Sequence, residues 1–219
     1  NKPRVTDVMP DAFLGPAVCE ADLEDGNCLR IIRDRHLTAE HMEEADLLTY
    51  VAQNVADGAI VGWSRGRMEF GPRALGHRSI FADPRKKEHW QKINREIKFR
   101  EDFRPFAPAV MQESAAEYFD LDVPSPFMLL VAQVKSTALP AVTHIDKSAR
   151  IQTVRPEENP LLYGLLREFK AITGCPVLIN TSLNTGDEPI VCTAEESLST
   201  FVRSGLDILV VGNTVFKKT

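Results

Sequence analysis

Apolar residues fall in blocks whose spacing changes along the chain between helical and strand-like. Met42, Ala45, Leu48, Ala52 and Val55 recur at helical intervals, which predicts a helix capped by Thr38 and ended at Asp57-Gly58. The apolar run at 59–63 reads as a buried strand feeding a glycine-rich loop over 71–76, and 79–82 reads as extended. Asp83-Pro84 has the form of an N-cap followed by proline, so a helix is expected from there to Lys98, with Trp90, Ile93 and Ile97 as its apolar stripe. Strands are expected at 107–112, 128–134, 151–154, 176–179, 206–211 and 215–216. A short helix is expected at 113–119. A second amphipathic helix spans 159–173 and stops at Gly174, and a capping box at Thr193 and Glu196 opens a third that runs to Gly205. This alternation predicts an α/β or α+β fold around a mixed sheet. The segment 1–37 lacks a clear period and reads as a linker or edge element, leaving 38–219 as the main domain.

Composition narrows the class. At 219 residues the chain can bury a substantial core, and no apolar run has the length of a membrane span. The opening NKPRVTDVMPDAF has no signal-peptide pattern and no initiator Met, so a piece of a longer, cytoplasmic protein is expected. Cys19, Cys28, Cys175 and Cys192 form no CxxC pair or metal spacing and read as reduced thiols. The net charge of −5 argues against general binding to nucleic acid or to anionic membranes.

That average conceals an asymmetry. Residues 65–104 hold twelve Lys or Arg against six acids, a net +6, while the other 179 residues carry −11. A basic island in an acidic protein points to an anionic ligand. No GxxxxGK[ST] loop is present and no GxGxxG follows a strand, so side-chain cations must bind any phosphate. Arg73, held in GPRALG by rigid backbone, is the first choice for a phosphate clamp. Asn180, Thr181 and Ser182 close a predicted strand, and their small amide and hydroxyl groups suit a phosphate oxygen or a small planar amide. Arg95 and Arg100 read as surface or salt-bridge residues, and Arg78 as a partner for Glu69. Trp63 and Trp90 read as core, with Phe103 or Phe106 as candidates to stack a base. His36, His41, His77, His89 and His144 show no ligand spacing, and His144 near Asp146 is a candidate to line a cavity.

Four stretches carry a resemblance: EFGPRALGHRSIFADPR, INREIKFREDFRPFAP, THIDKSARIQTV and TGCPVLINTSLNTGDEPIV. Together they resemble the carboxyl-terminal region of the O-carbamoyltransferases that act on nodulation factors, cephalosporins and aminoglycosides. The likeness runs from about Asp46 to Lys217, with Lys147 where a small residue is expected and His77 where Asn is expected. It implies a YrdC-like twisted mixed sheet flanked by helices, with a basic central cavity. It also implies a domain that binds ATP and carbamoyl phosphate and forms carbamoyl-adenylate for a hydroxyl acceptor. Lys98, Arg104 and Arg150 match ligand-contacting positions of that family. The implied assignment gives Lys98, Arg104 and Ser182 catalytic roles. Arg73, Lys98, Arg104, Arg150, Asn180 and Ser182 hold the substrates, Mg²⁺ arrives with ATP, and no protein-held metal is expected. A separate amino-terminal actin-like domain, absent from this sequence, would complete the transfer and choose the acceptor. The rival readings are an RNA- or nucleotide-binding YrdC-like module and a threonylcarbamoyl-adenylate synthase-like enzyme.

Overall fold

The computed structural model describes residues 11–101 and 104–219. Its strands are β1 (Ala17–Val18), β2 (Thr38–His41), β3 (Val61–Ser64), β4 (Gly66–Arg67), β5 (Arg78–Ala82) and β6 (Ala107–Met111), then β7 (Leu130–Gln133), β8 (Ser148–Val154), β9 (Val177–Ser182), β10 (Ile208–Val211) and β11 (Thr214–Lys217). Its helices are α1 (Gly26–Asp34), α2 (Glu44–Asp57), α3 (Lys87–Lys92), α4 (Ala115–Tyr118), α5 (Pro160–Thr173) and α6 (Ala194–Arg203). Nine of the strands form one mixed sheet in the order β2-β11-β10-β3-β5-β9-β6-β8-β7. β3 pairs parallel with β10, and β6 with β8; the other neighbours are antiparallel. β1 and β4 make a separate two-stranded ribbon.

The central strands show no alternation of burial because both faces are covered. Every residue of β3, β5, β6 and β10 is buried. α2 packs against α5, and α1 against α6. α5 begins where Asn159 accepts from the Leu162 N–H and ends at Gly174 in the left-handed conformation (φ 75°). α6 begins with the capping box expected at Thr193 and Glu196.

One row across the sheet matters for the site. Asn180 on β9 sits opposite Ala107 on β6. The β6–β8 register puts Ala109 beside Gln152, so two residues back Ala107 lies level with Arg150. Arg150 in turn pairs with Val131 on β7. Side chains in such a row share a face of the sheet.

Three local expectations differ from the structure. Thr38 is not an N-cap: residues 38–41 form β2, whose side chains are exposed and which covers the edge of β11, and the helix starts after Glu43. Asp83 does not open a helix either; its buried carboxylate binds Arg85 Nε at 2.9 Å and Nη2 at 2.6 Å, and α3 begins only at Lys87. The helix then loosens into a π-helical turn over Ile93–Ile97. Finally, the described part of segment 1–37 packs on the main body. Leu23 and Cys28 join its core, and residues 12–16 run beside 68–70 through Phe70 N to Ala12 O (2.7 Å) and Met68 N to Pro16 O (2.8 Å).

Candidate functional site

The loop that carries Arg73 is built from its ends. Glu69 is buried, and its Oε1 accepts from the backbone N–H groups of Leu75 (2.7 Å), His77 (2.8 Å) and Arg78 (3.2 Å). The loop's carbonyls go to three amide side chains: Ala74 O to Asn180 (3.2 Å), and Leu75 O to Gln152 (2.8 Å) and Asn159 (3.1 Å). Gly71 (φ 134°) and Gly76 (φ 114°) take conformations closed to L side chains, which explains both glycines. Arg73 is left exposed between them. Arg78, expected as a partner for Glu69, is fully buried and its guanidinium donates to the carbonyls of Pro16, Arg65, Gly66, His77 and Cys192. It binds backbone, and its own N–H reaches Glu69. His77 stacks on Phe13 with ring centroids 3.6 Å apart.

The second wall is the end of β9. Lys98 follows the π-helical turn, where its N–H reaches back to Ile93 O at 2.8 Å, and Phe99 beyond it sits at φ 46°. This turn buries Lys98, which is 3% exposed. Its Nζ donates to Ser182 O (2.6 Å), Ser182 Oγ (3.3 Å), Asn184 O (3.0 Å) and Asn184 Oδ1 (2.5 Å). The Ser182 hydroxyl in turn donates a hydrogen bond to Asn184 Oδ1 at 2.7 Å. Burial, and then the nearby Arg100 charge, bring the Lys98 ammonium down to a pKa of about 7.

Arginines close the third side. Arg100 donates to Asn94 Oδ1 at 2.8 Å and lies 4.8 Å above the Phe106 ring. Arg104 is half exposed, and its Nε meets Glu101 at 3.1 Å. Its carbonyl accepts from Trp90 Nε1 (2.7 Å) and Asn94 Nδ2 (3.0 Å). Arg150 has a buried Nε with no hydrogen-bond partner. Burial holds the pKa values of Arg100 and Arg150 below the usual guanidinium range, and neighbouring cations push the same way: Arg104 on Arg100, Arg73 on Arg150.

These walls enclose a cavity of about 140 Å³ lined by Arg73, Arg100, Arg150, Asn180, Thr181 and Ser182 among others, with no carboxylate in its lining among the described residues. It adjoins a groove of about 750 Å³ that shares Arg100, Phe106 and Arg150 and adds Arg104, His144 and Asp146. Of the six residues singled out from sequence, Arg73, Arg150, Asn180 and Ser182 therefore meet in one cavity, and Arg104 stands in the adjoining groove. Lys98 does not line either space; it acts on the cavity wall from behind through Ser182 and Asn184. Arg100, read from sequence as a surface or salt-bridge residue, lines both spaces; it follows the π-helical turn and the left-handed Phe99. Asn184 was not singled out at all, though NTSLN places a second amide two residues beyond Ser182. Of the aromatic candidates, Phe106 lines both spaces, and Phe103 lies outside the described residues. Trp63 is core, and Trp90 is half-buried. Among the described residues no three His, Cys, Asp or Glu side chains cluster to hold a metal ion.

Comparison with known proteins adds the following. A family model described as "Carbamoyltransferase C-terminus" matches residues 52–218. An uncharacterized protein of Synechocystis is 44% identical over 99% of this chain and 38% of its own length. Nodulation protein NolO of Bradyrhizobium diazoefficiens is 39% identical over 100% of this chain and 40% of its own. The 3'-hydroxymethylcephem-O-carbamoyltransferase of Amycolatopsis lactamdurans is 41% identical over 75% of this chain and 32% of its own. The chain thus spans about two fifths of the length of the first two. Among solved structures, full-length HypF in a phosphate- and nucleotide-bound form superposes with a TM-score of 0.54 at 18% identity, covering 82% of this chain and 25% of that one. HypF of T. kodakarensis gives 0.52 at 16%, covering 77% and 22%. At these identities the likeness concerns the fold, a large mixed sheet flanked by helices.

Proposed function

Because the chain belongs to the family of carbamoyltransferase C-terminal domains, we propose that it binds ATP and carbamoyl phosphate, forms carbamoyl-adenylate, and supplies the carbamoyl group to a hydroxyl acceptor. One observation carries this reading: Arg73, Arg100 and Arg150 converge on one cavity, whose described lining holds no carboxylate, at the end of a strand that offers small polar groups. Three guanidiniums that share a space repel one another until an anion enters. Full-length HypF, of which the superposed part is 25%, was solved in a phosphate- and nucleotide-bound form, which is consistent with this reading.

The chemistry needs positioning and charge neutralisation more than a general base. Carbamoyl phosphate and water give carbamate and phosphate. A carbamate oxygen then attacks the α-phosphorus of ATP, and the bond to the bridging oxygen breaks, sending its electron pair out with pyrophosphate. The arginines offset the negative charge that builds on both leaving groups. The Ser182 hydroxyl already donates a hydrogen bond to Asn184 and accepts one from Lys98, which leaves it one lone pair with which to accept from a ligand in the cavity. Asn180 Oδ1 is buried without a partner. These two acceptors suit the two N–H bonds of a carbamoyl group better than they suit a phosphate. Arg104 and Phe106 place the nucleotide in the larger groove. Mg²⁺ would arrive on the phosphate oxygens of ATP and add to the same charge neutralisation, since the described lining of the smaller cavity offers no carboxylate to hold it. The acceptor hydroxyl finally attacks the carbamoyl carbon and AMP leaves, a step assigned to the remainder of the longer protein. The amino-terminal domain implied by the resemblance fits relatives more than twice as long as this chain.

The test is pyrophosphate–ATP exchange by the full-length protein. Exchange should require carbamoyl phosphate. Arg73→Ala or Arg150→Ala should each reduce it by about 10- to 100-fold, as expected for one lost charge-assisted contact. Exchange that is equally fast without carbamoyl phosphate, or unchanged in both variants, would overturn the proposal.

A further inference from the structure

Glu69 is a carboxylate that the site's chemistry does not use, yet it is 3% exposed. Among the described residues no ionic side chain is hydrogen-bonded to it; Oε1 takes three backbone N–H groups, and Oε2 has no partner. A buried carboxylate is costly unless N–H donors surround it. Closing an ordinary turn does not call for one. Here the three N–H groups belong to Leu75, His77 and Arg78, the residues that follow Arg73. Gathering them on a single oxygen curls the chain back over residues 69–78. That curl turns the Ala74 and Leu75 carbonyls toward Asn180, Gln152 and Asn159.

The carboxylate is itself held in place. Its neighbours Met68 and Phe70 donate to the carbonyls of Pro16 and Ala12 at 2.8 and 2.7 Å, and Gly15 N returns a bond to Met68 O at 2.9 Å. The loop is therefore fixed at Glu69 and at 74–78, and the short span between them, with Arg73 exposed, is what reaches the cavity. The buried Arg78 guanidinium, satisfied only by carbonyls, gains a compensating negative charge from Glu69.

We infer that Glu69 is a positioning residue, which closes the 69–78 loop so that Arg73 reaches the cavity it shares with Arg150 and Ser182. The inference rests on the proposed phosphate role of Arg73 and concerns anion binding alone.

Calorimetric binding of inorganic pyrophosphate to the full-length protein tests it. Arg73→Ala should weaken binding by about tenfold or more, the worth of a charge-assisted contact. Glu69→Gln should weaken it comparably, and the double variant should bind no more weakly than Arg73→Ala alone. Combined with Arg150→Ala, in contrast, Glu69→Gln should add its full effect. Glu69→Asp keeps the charge but is too short for all three N–H groups, so it serves as a second variant with an intermediate loss should the amide fail to fold. The inference is overturned if both Glu69 variants bind pyrophosphate as the parent does. It is equally overturned if Glu69→Gln weakens the Arg73→Ala protein by the same factor as the parent, which would mean general support of the fold. Unchanged binding by Arg73→Ala removes the phosphate role and this inference together. Intact binding without pyrophosphate–ATP exchange removes only the proposed reaction.

Discussion

Lys98 shows how far one side chain can depart from its expected place. The family resemblance implied a cation at the end of a helix that contacts the ligand directly. In the structure its ammonium is buried among four neutral oxygens, and its pKa falls to about 7. The unfolded chain holds this proton up to pH about 10.4. Between those two values the unfolded state binds more protons than the native state, so the Lys98 contribution to stability rises with pH across that window. Below pH about 7 the unfavourable contribution is fully present. Lys98→Met should therefore flatten the rise in urea midpoint between pH 7 and 10, and equal slopes in the two proteins would refute the assignment. Activity runs the other way. If the ammonium keeps Ser182 and Asn184 in place, pyrophosphate–ATP exchange should decline as pH rises through about 7. Lys98→Arg, which does not titrate in this range, should lose that limb of the pH profile. No composition or periodicity could have revealed this, because the burial of Lys98 arises from a turn that pattern alone reads as continuous helix.

Elements were legible where one local rule decided them. Asn159, Thr193 with Glu196, and Gly174 marked the ends of α5 and α6, since caps act over three or four residues. Legibility failed where a competing contact, near or distant in sequence, overrode a local signal. Asp83-Pro84 has the form of a helix start, but Arg85 takes the carboxylate. Thr38 has the form of a cap, but β11 takes residues 38–41 as a neighbouring strand. The π-helical turn has the same cause at the scale of an interface. It brings the Lys98 carbonyl so close to Gly186 that a Cβ there would fall well inside van der Waals distance of it. Gly186→Ala must separate the turn from the loop after β9 and break the bonds from Lys98 to Ser182 and Asn184. A drop in melting temperature of roughly 5 °C or more is expected, as for a clash costing about 2 kcal/mol in a domain of this size. Exchange activity should fall with it. A variant of parental stability and activity would show that the two segments are not locked together. In contrast, Ile172→Ala on the exposed side of α5 should leave both unchanged.

At the scale of the molecule, the basic island located the site but overstated its cations. Of the twelve Lys and Arg in residues 65–104, Arg73, Arg100 and Arg104 line the cavity or its adjoining groove among the described residues. Others serve the fold: Arg78 and Lys98 bind carbonyls, Arg67 binds Phe13 O and Leu14 O, Arg85 pairs with Asp83, and Lys92 pairs with Asp207. The fourth lining cation, Arg150, comes from β8, outside the island, and reaches the site through the row it shares with Asn180 and Ala107. Net charge over a window cannot separate a cation that faces a ligand from one that holds a turn, whereas strand register can. This bears on how an anion finds the site. Four arginines set in a chain of net charge −5 form a local positive field that salt screens within about 10 Å at 0.1 M. Pyrophosphate affinity should fall on the order of tenfold between about 0.05 and 0.5 M salt. Because the structural cations are already paired, Arg73→Ala and Arg150→Ala should make that dependence shallower, while Lys92→Ala, which removes an ion pair with Asp207, should leave its slope unchanged. If Lys92→Ala flattened the slope as much as Arg73→Ala, attraction would belong to the island as a whole. The four convergent arginines would then lose their distinction from the other cations around them.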